Sequence, residues 1–301
     1  MVSPNSKTAF AIRIVCLIAY YDQTQFAVQR LHGPRRKIAP MRIPSRTSAF
    51  FCTLATCCSL SCAQSAWQVP PASAAIVAGI PIAAGTPVGP RFRQRFMEFD
   101  NNCTCDGKRQ NKQNCDLDPN SNHVLLRLAG GAIFFDAKLA IDNDGSPYSN
   151  MRRNSDQPQT SLRYDELHGQ PSINSDAVPY IVLPLGGFLQ ELGLQKGDLA
   201  AVIYNDKLVY AIFADEGPKC NIGEGSIQLH QLLGNAVCRK RNQAGECIDV
   251  DEDRGIDKDV LFFVFPDSAK LILPGLTPEN VNARINQFAP KLFSALKTAS
   301  R

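Results

Sequence analysis

Asp215 and Glu224 stand nine residues apart in the run Phe213-Ala214-Asp215-Glu216-Gly217-Pro218-Lys219-Cys220-Asn221-Ile222-Gly223-Glu224-Gly225-Ser226. The first ends an apolar segment that reads as a buried strand, so its carboxyl is rigidly aimed. The second lies between two glycines just ahead of a helical segment, where the missing side chains let a polymer approach it. Two carboxyls in different surroundings are what glycosidic hydrolysis needs: one protonated as acid, one ionised as base or nucleophile. Spacing alone fits a plainer reading at least as well, with Asp215 capping the following turn and Glu224 a solvated charge before a helix.

A second group of acids precedes them. In Phe134-Phe135-Asp136-Ala137-Lys138-Leu139-Ala140-Ile141-Asp142-Asn143-Asp144-Gly145, Asp136 and Lys138 alternate with apolar residues and share one face of a strand. Asp142-x-Asp144-Gly145 resembles part of a calcium loop, but the twelve-residue ligand pattern is missing and a polar turn is the default. The acidic run Asp249, Asp251, Glu252, Asp253 lacks the glycine and final Glu of such a loop and reads as solvated. The four histidines, at 32, 123, 168 and 230, form no metal-ligand or triad pattern. Nucleophile elbow, phosphate loop and dinucleotide fingerprint are all missing. No metal and no cofactor is expected.

The elements that must position these carboxyls are mostly strands. Val124–Leu128, Ala132–Phe135, Tyr180–Leu183, Leu199–Tyr204, Lys207–Phe213 and Val260–Phe265 are short, rich in β-branched and aromatic residues, and bounded by Gly, Pro, Asn or Asp. Asn205-Asp206 joins two of them as a tight hairpin. Leu208–Phe213 is nearly all apolar, so both its faces should be covered. One short helix should run from near Ser226 to Gly234. A longer one should start at Thr277-Pro278-Glu279 and bury Val281, Ile285, Phe288, Leu292 and Leu296, with Pro290 kinking or dividing it. The class is mainly β with peripheral helices.

Charge and cysteine divide the chain. Residues 1–63 hold eight of the 32 basic residues and one of the 28 acidic; the remainder keeps 24 and 27, a net charge of −3 in a chain of +4. The folding part is therefore mildly acidic, which suits a cationic ligand and speaks against nucleic acid. Residues 41–66 carry a basic start, an apolar run too short to span a bilayer and small residues for cleavage after Ala63 or Ala66: an export signal. Residues 1–40 are expected to derive from an upstream start codon, 67–90 to be a Pro/Ala/Gly-rich linker, and 91–301 to be one catalytic domain. Six cysteines lie beyond the signal: 103, 105, 115, 220, 238 and 247. In an oxidising compartment they suit three disulfides, and the 15 possible pairings stay open. A zinc site from Cys103, Cys105, Cys115 and His123 has poor spacing and conflicts with export.

Several runs resemble the glycoside hydrolase family 75 chitosanases. They are Phe135-Asp136-Ala137-Lys138, Ile141-Asp142-x-Asp144-Gly145, Gln159-Thr160-Ser161 and Pro179-Tyr180-Ile181-Val182-x-Pro184. Gly197-Asp198-x-Ala200-Ala201-Val202-Ile203-Tyr204-Asn205, Ala214-Asp215-x-Gly217-Pro218 and Ile222-Gly223-Glu224-x-Ser226 continue the series in order, from about 130 to 267. The resemblance implies a secreted endo-hydrolase of chitosan that inverts the anomeric carbon, with Asp215 and Glu224 as the catalytic carboxylates. Glu224, between glycines and after Ile222, is taken as the acid. Each deacetylated sugar carries an ammonium group, so subsites should offer carboxylates: Asp136, Asp142, Asp144 and Asp156, with Lys138 in the same segment. The order strand, Asp, Gly-Pro-Lys-Cys, Gly-Glu, Ser, helix is also similar to barwin and expansin domains, implying a six-stranded double-psi-like barrel. No nucleic acid partner or stable membrane span is expected, and the protein should be a monomer. The competing readings are a non-catalytic expansin-like wall-binding module or a peptidoglycan-directed barrel enzyme. Trp67, the only Trp, falls in the expected linker, which disfavours a flat stacking surface on the domain.

Overall fold

The computed structural model describes residues 67–110, 123–151, 158–164 and 171–298. The export signal and the region before it, with Cys115 and Asp156, lie outside the described residues. In chain order the strands are β1 (Thr86–Pro87), β2 (Thr104–Cys105), β3 (Lys108–Arg109), β4 (Leu125–Arg127), β5 (Ile133–Asp142) and β6 (Tyr180–Pro184). They continue with β7 (Leu199–Tyr204), β8 (Lys207–Gly217), β9 (Glu224–Ser226), β10 (Cys238–Arg241), β11 (Cys247–Val250) and β12 (Ile256–Phe265).

Six of these close on themselves. β5, β12, β7, β8, β6 and β9 neighbour one another in that order, and β9 returns to β5. Four seams are antiparallel, while β6/β8 and β5/β9 are parallel. This is the mainly β class with peripheral helices that the residue patterns predict, closed as the six-stranded barrel that the resemblance implies. Closure leaves these strands no unpaired edge; only β4, and then β1, extends from β5. The β7–β8 hairpin turns at Asn205, whose φ of 53° is one that Asn tolerates better than most residues.

Alternation divides the strands between two apolar clusters. Phe134, Tyr180, Val182, Ala201, Ile203, Ile212, Ala214 and Phe263 pack with the helix Val281–Leu296. A helix is too wide for the lumen of a six-stranded barrel, so this is the outer face. The opposite set fills the lumen, including Phe135 and Phe262 stacked at 4.5 Å between ring centroids. By the same alternation Asp136, Lys138, Ala140 and Asp142 of β5 belong to the outer face.

The helices depart from expectation in three ways. Pro90–Asn102 is helical because Phe92, Phe96 and Phe99 recur at i, i+4 and i+7 and bury one stripe, with Pro90 at a first-turn position. The C-terminal helix starts at Val281 rather than beside Thr277, and Asn280 accepts from the Thr277 N–H across the turn ahead of it. It is also not divided at Pro290, which lies inside one continuous element. The carbonyl that Pro290 leaves without an amide donor belongs to exposed Asn286, where water can take the missing bond. Among the described residues no helix is long and apolar enough to cross a membrane.

The segment expected as a linker is folded. Its prolines begin short helical turns, and Val77, Ile80 and Ile82 are buried in the outer cluster. Ser73 donates to the Asn205 carbonyl at 3.0 Å, and Trp67 packs edge-on to Phe134. Such a segment shows no period because each apolar side chain is buried singly rather than along one face. Disulfides join Cys105 to Cys220 and Cys238 to Cys247, and Cys103 is disulfide-bonded as well.

Candidate active site

Two strands carry the carboxylates that sequence analysis singles out, and β6 lies between them. Val182 of β6 pairs in register with Asp215 on parallel β8 and with Glu224 on antiparallel β9. Partners in register face the same side of a sheet, so both side chains emerge on the outer face beside Val182. Each of the two strands lies about 4.8 Å from β6, on opposite sides of it.

Asp215 is aimed by a bulge. Ile181 pairs with Phe213 but Val182 pairs with Asp215, leaving Ala214 as the extra residue of β8. Its carboxyl is buried, at 3% exposure, and Oδ1 accepts N–H bonds from Ser161 and Glu216, each 2.8 Å. Burial raises its pKa above the ordinary range, while these two donors and a hydrogen bond with the Asp144 carboxyl oppose the rise.

Glu224 begins β9 just before the helix Ile227–Leu232, which Ser226 caps by accepting the Leu229 N–H at 3.0 Å. The flanking glycines serve the barrel rather than a ligand. A Cβ on Gly223 would lie 2.1 Å from the Lys138 carbonyl oxygen, and one on Gly225 2.9 Å from that of Tyr180. The glycine that makes room for the Glu224 carboxyl is Gly217, where a Cβ would come within 3.0 Å of Oε2. It ends β8, two residues past Asp215.

Asp142 and Asp144 join them from the end of β5. Ala140 pairs with Glu224 and Asp142 with Ser226, so Asp142 is a diagonal neighbour of Glu224. The Asp144 N–H donates to Asp142 Oδ1 at 2.8 Å, and Ser175 donates to the Asp142 carbonyl at 2.5 Å. The Tyr180 hydroxyl donates to the Asp144 carbonyl at 3.1 Å. Burial, then the charges of Glu224, Asp144 and Asp215, push Asp142 well above its ordinary value. Burial and the Asp215 charge push Asp144 up to about 7. Asp142, Asp144 and Asp215 each offer an oxygen within 4.8 Å of the others, a concentration of acid that a cation or a proton would relieve.

The remaining candidates lie elsewhere. Asp136 and Lys138 are buried, at 2% and 3% exposure, beneath Trp67 and the Pro90–Asn102 helix. Trp67 Nε1 donates to Asp136 Oδ2 at 2.6 Å, and Lys138 Nζ lies 3.6 Å from Asp100. His123 bridges Asp100 to the Asp136 carbonyl. These side chains offer no surface to a ligand as placed. Sequence reasoning missed Ser161, Ser175 and Tyr180, which hold the acids by bonds between segments distant in sequence. It also missed Gly217, although that residue falls within the family-like Asp-x-Gly-Pro run. His230 is neutral, its pKa lowered to about 4 by burial, and it sits behind the site with Nε2 on the Ala140 carbonyl. Cys105, Asp106 and Cys220 also cluster, but a disulfide consumes both thiols.

No curated protein matches the chain. The sequence pattern of the fungal chitosanases of glycosyl hydrolase group 75 matches residues 139–296, which is more than half of the 301 and includes Asp142, Asp144, Asp215 and Glu224. The readings as a non-catalytic wall-binding module or a peptidoglycan-directed enzyme give way to a glycoside hydrolase that acts on chitosan. The chain belongs to glycoside hydrolase family 75, the fungal chitosanases.

Proposed function

We propose that the protein is a secreted endo-chitosanase that inverts the anomeric carbon, with Asp215 as general base and Glu224 as general acid. The observation that carries this is the placement of both carboxylates in register with Val182, on strands two apart. Emerging on either side of β6 rather than from neighbouring strands, the two have space between them for a water, and an inverting pair needs carboxyls roughly 6.5–9.5 Å apart. Asp215 takes the base role because two backbone N–H groups converge on one of its oxygens and favour its charged form. Glu224 then protonates the leaving oxygen. The water gives its proton to Asp215 as its oxygen bonds to the anomeric carbon.

Asp142 and Asp144 make this place strongly acidic, which suits a sugar bearing an ammonium group; Asp156 belongs to the same expectation. Asp136 and Lys138 act in this reading as supports on the covered face of β5, tied to Trp67 and Asp100. Disulfide bonding of five described cysteines supports an oxidising, extracellular destination. The test is activity on soluble chitosan for Asp215→Asn and Glu224→Gln, each checked for an unchanged fold. Loss of roughly 10²–10⁴-fold is expected from either. Retention of more than about a tenth of the activity by one of them removes that residue from its role.

A further inference from the structure

The Asp144 and Asp215 carboxyls each place an oxygen within 4.8 Å of the other, with Asp142 as the third member of the cluster. Two ionised carboxylates have only acceptor atoms and repel, so groups this close relieve the repulsion by sharing a proton. The partners of the two groups are unequal. Asp215 Oδ1 receives two backbone N–H bonds at 2.8 Å, and these stabilise negative charge. Asp144 receives one long side-chain bond, from the Ser149 hydroxyl at 3.4 Å, and no basic side chain pairs with it among the described residues. The groups that face it are otherwise acidic: Asp142 from β5, Asp215 from β8 and, beyond Asp142, Glu224 from β9. β6 contributes the Tyr180 hydroxyl, which is committed to the Asp144 carbonyl.

We propose that Asp144 is a positioning residue for hydrolysis: it holds the shared proton and donates it to Asp215, keeping Asp215 ionised and aimed for the attacking water. The inference rests on the reading of Asp215 as base. Asp144's proton is not consumed. In the reaction water loses its proton to Asp215 and bonds to the anomeric carbon, and the leaving oxygen takes the proton of Glu224. Asp215 then releases its proton to solvent as Glu224 regains one, so one water is added in all. Burial and the neighbouring charge, which push Asp144 up to about 7, let it keep this proton through neutral pH.

The experiment is kcat against pH for the wild type, Asp144→Asn and Asp144→Ala. The wild-type rate should fall on the alkaline side as Asp144 deprotonates and the two carboxylates repel. Asparagine donates an N–H at any pH, so Asp144→Asn should keep at least a third of the optimal rate. Its alkaline limb should move up by one pH unit or more. Asp144→Ala should lose at least tenfold. An Asp144→Asn profile with the wild-type limb, or an Asp144→Ala enzyme as active as the wild type, overturns the proposal. So does a wild type that EDTA inactivates and calcium restores, which would give the cluster to a cation. Should a substitution block folding, the wild-type limb decides: no fall between pH 6 and 9 also overturns it. Asp215→Asn assayed alongside separates the two claims, because activity retained there refutes the base assignment itself.

Discussion

Asp215 and Glu224 pair in register with the same residue, Val182, from opposite sides of β6. The backbone positions of the two residues are therefore set by strand hydrogen bonds rather than by loop conformation. Strand-borne positions of this kind are held rigidly, which the proposed inverting pair needs.

Gly217 tests how closely Glu224 is seated. Its backbone does not need glycine, but a Cβ there would meet Val182 Cγ1 at 2.9 Å and Glu224 Oε2 at 3.0 Å. Gly217→Ala should lower kcat by roughly tenfold to a hundredfold with a small change in melting temperature. Gly223→Ala should do the reverse of that balance: with φ at +81° and a carbonyl oxygen 2.1 Å from the new Cβ, it should cost more than about 2 kcal/mol in denaturant unfolding. Equal effects of the two on stability would contradict these separate roles.

The Cys105–Cys220 disulfide anchors the segment between the two carboxylates to the β2–β3 hairpin, and Lys219 adds an ion pair with Asp106 at 2.8 Å. Closing a 115-residue separation contributes about 4–5 kcal/mol in the chain-entropy account. Replacing both cysteines by Ser should therefore lower stability by several kcal/mol and reduce activity below the melting transition. Thiol labelling of the unreduced, exported protein should detect no free cysteine beyond residue 90.

The acid cluster gives stability a pH slope. Asp144's folded pKa is raised from 3.8 to about 7, and Asp142 and Asp215 are raised too. A raised carboxyl contributes fully below its unfolded pKa, and that contribution is lost as pH climbs through its folded value. Melting temperature should fall between about pH 4 and 7. Asp144→Asn should flatten that fall, which melting curves at half-unit steps of pH would show; an unchanged slope would mean that the cluster is already neutralised.

Substrate charge should be read by the same acids. A substrate ammonium seated beside Asp142 favours its charged form over the protonated form that burial imposes. Asp142→Asn should therefore raise KM on fully deacetylated chitosan more than on partly acetylated material, and the difference should shrink as salt rises, because screening acts over about 8–10 Å. Equal changes on both substrates at all salt concentrations would give Asp142 a purely structural role.

Much of this was legible in residue patterns. Runs of β-branched and aromatic residues on either side of Asn205-Asp206 located β7 and β8, and the family-like runs singled out Asp215 and Glu224. The role of Val182 was not, because β6, β8 and β9 meet through register between distant segments, and no local pattern encodes the bulge at Ala214. Asp136 and Lys138 were rightly placed on one face of β5. What covers that face, Trp67 and the Phe92–Phe96–Phe99 helix, comes from segments read as linker or left without structure. The helix was visible in its stripe of Phe; the burial of Val77, Ile80 and Ile82 had no period to reveal it.

The central claim is that Asp215 and Glu224 act across a sugar and a water, as an inverting pair. Proton NMR of the first products of chitosan cleavage, recorded before the anomers interconvert, tests it most directly. The β-linked substrate should yield new reducing ends in the α configuration. New ends appearing as the β anomer would mean retention through a covalent intermediate, and the water-spanning arrangement of these two carboxylates would be wrong.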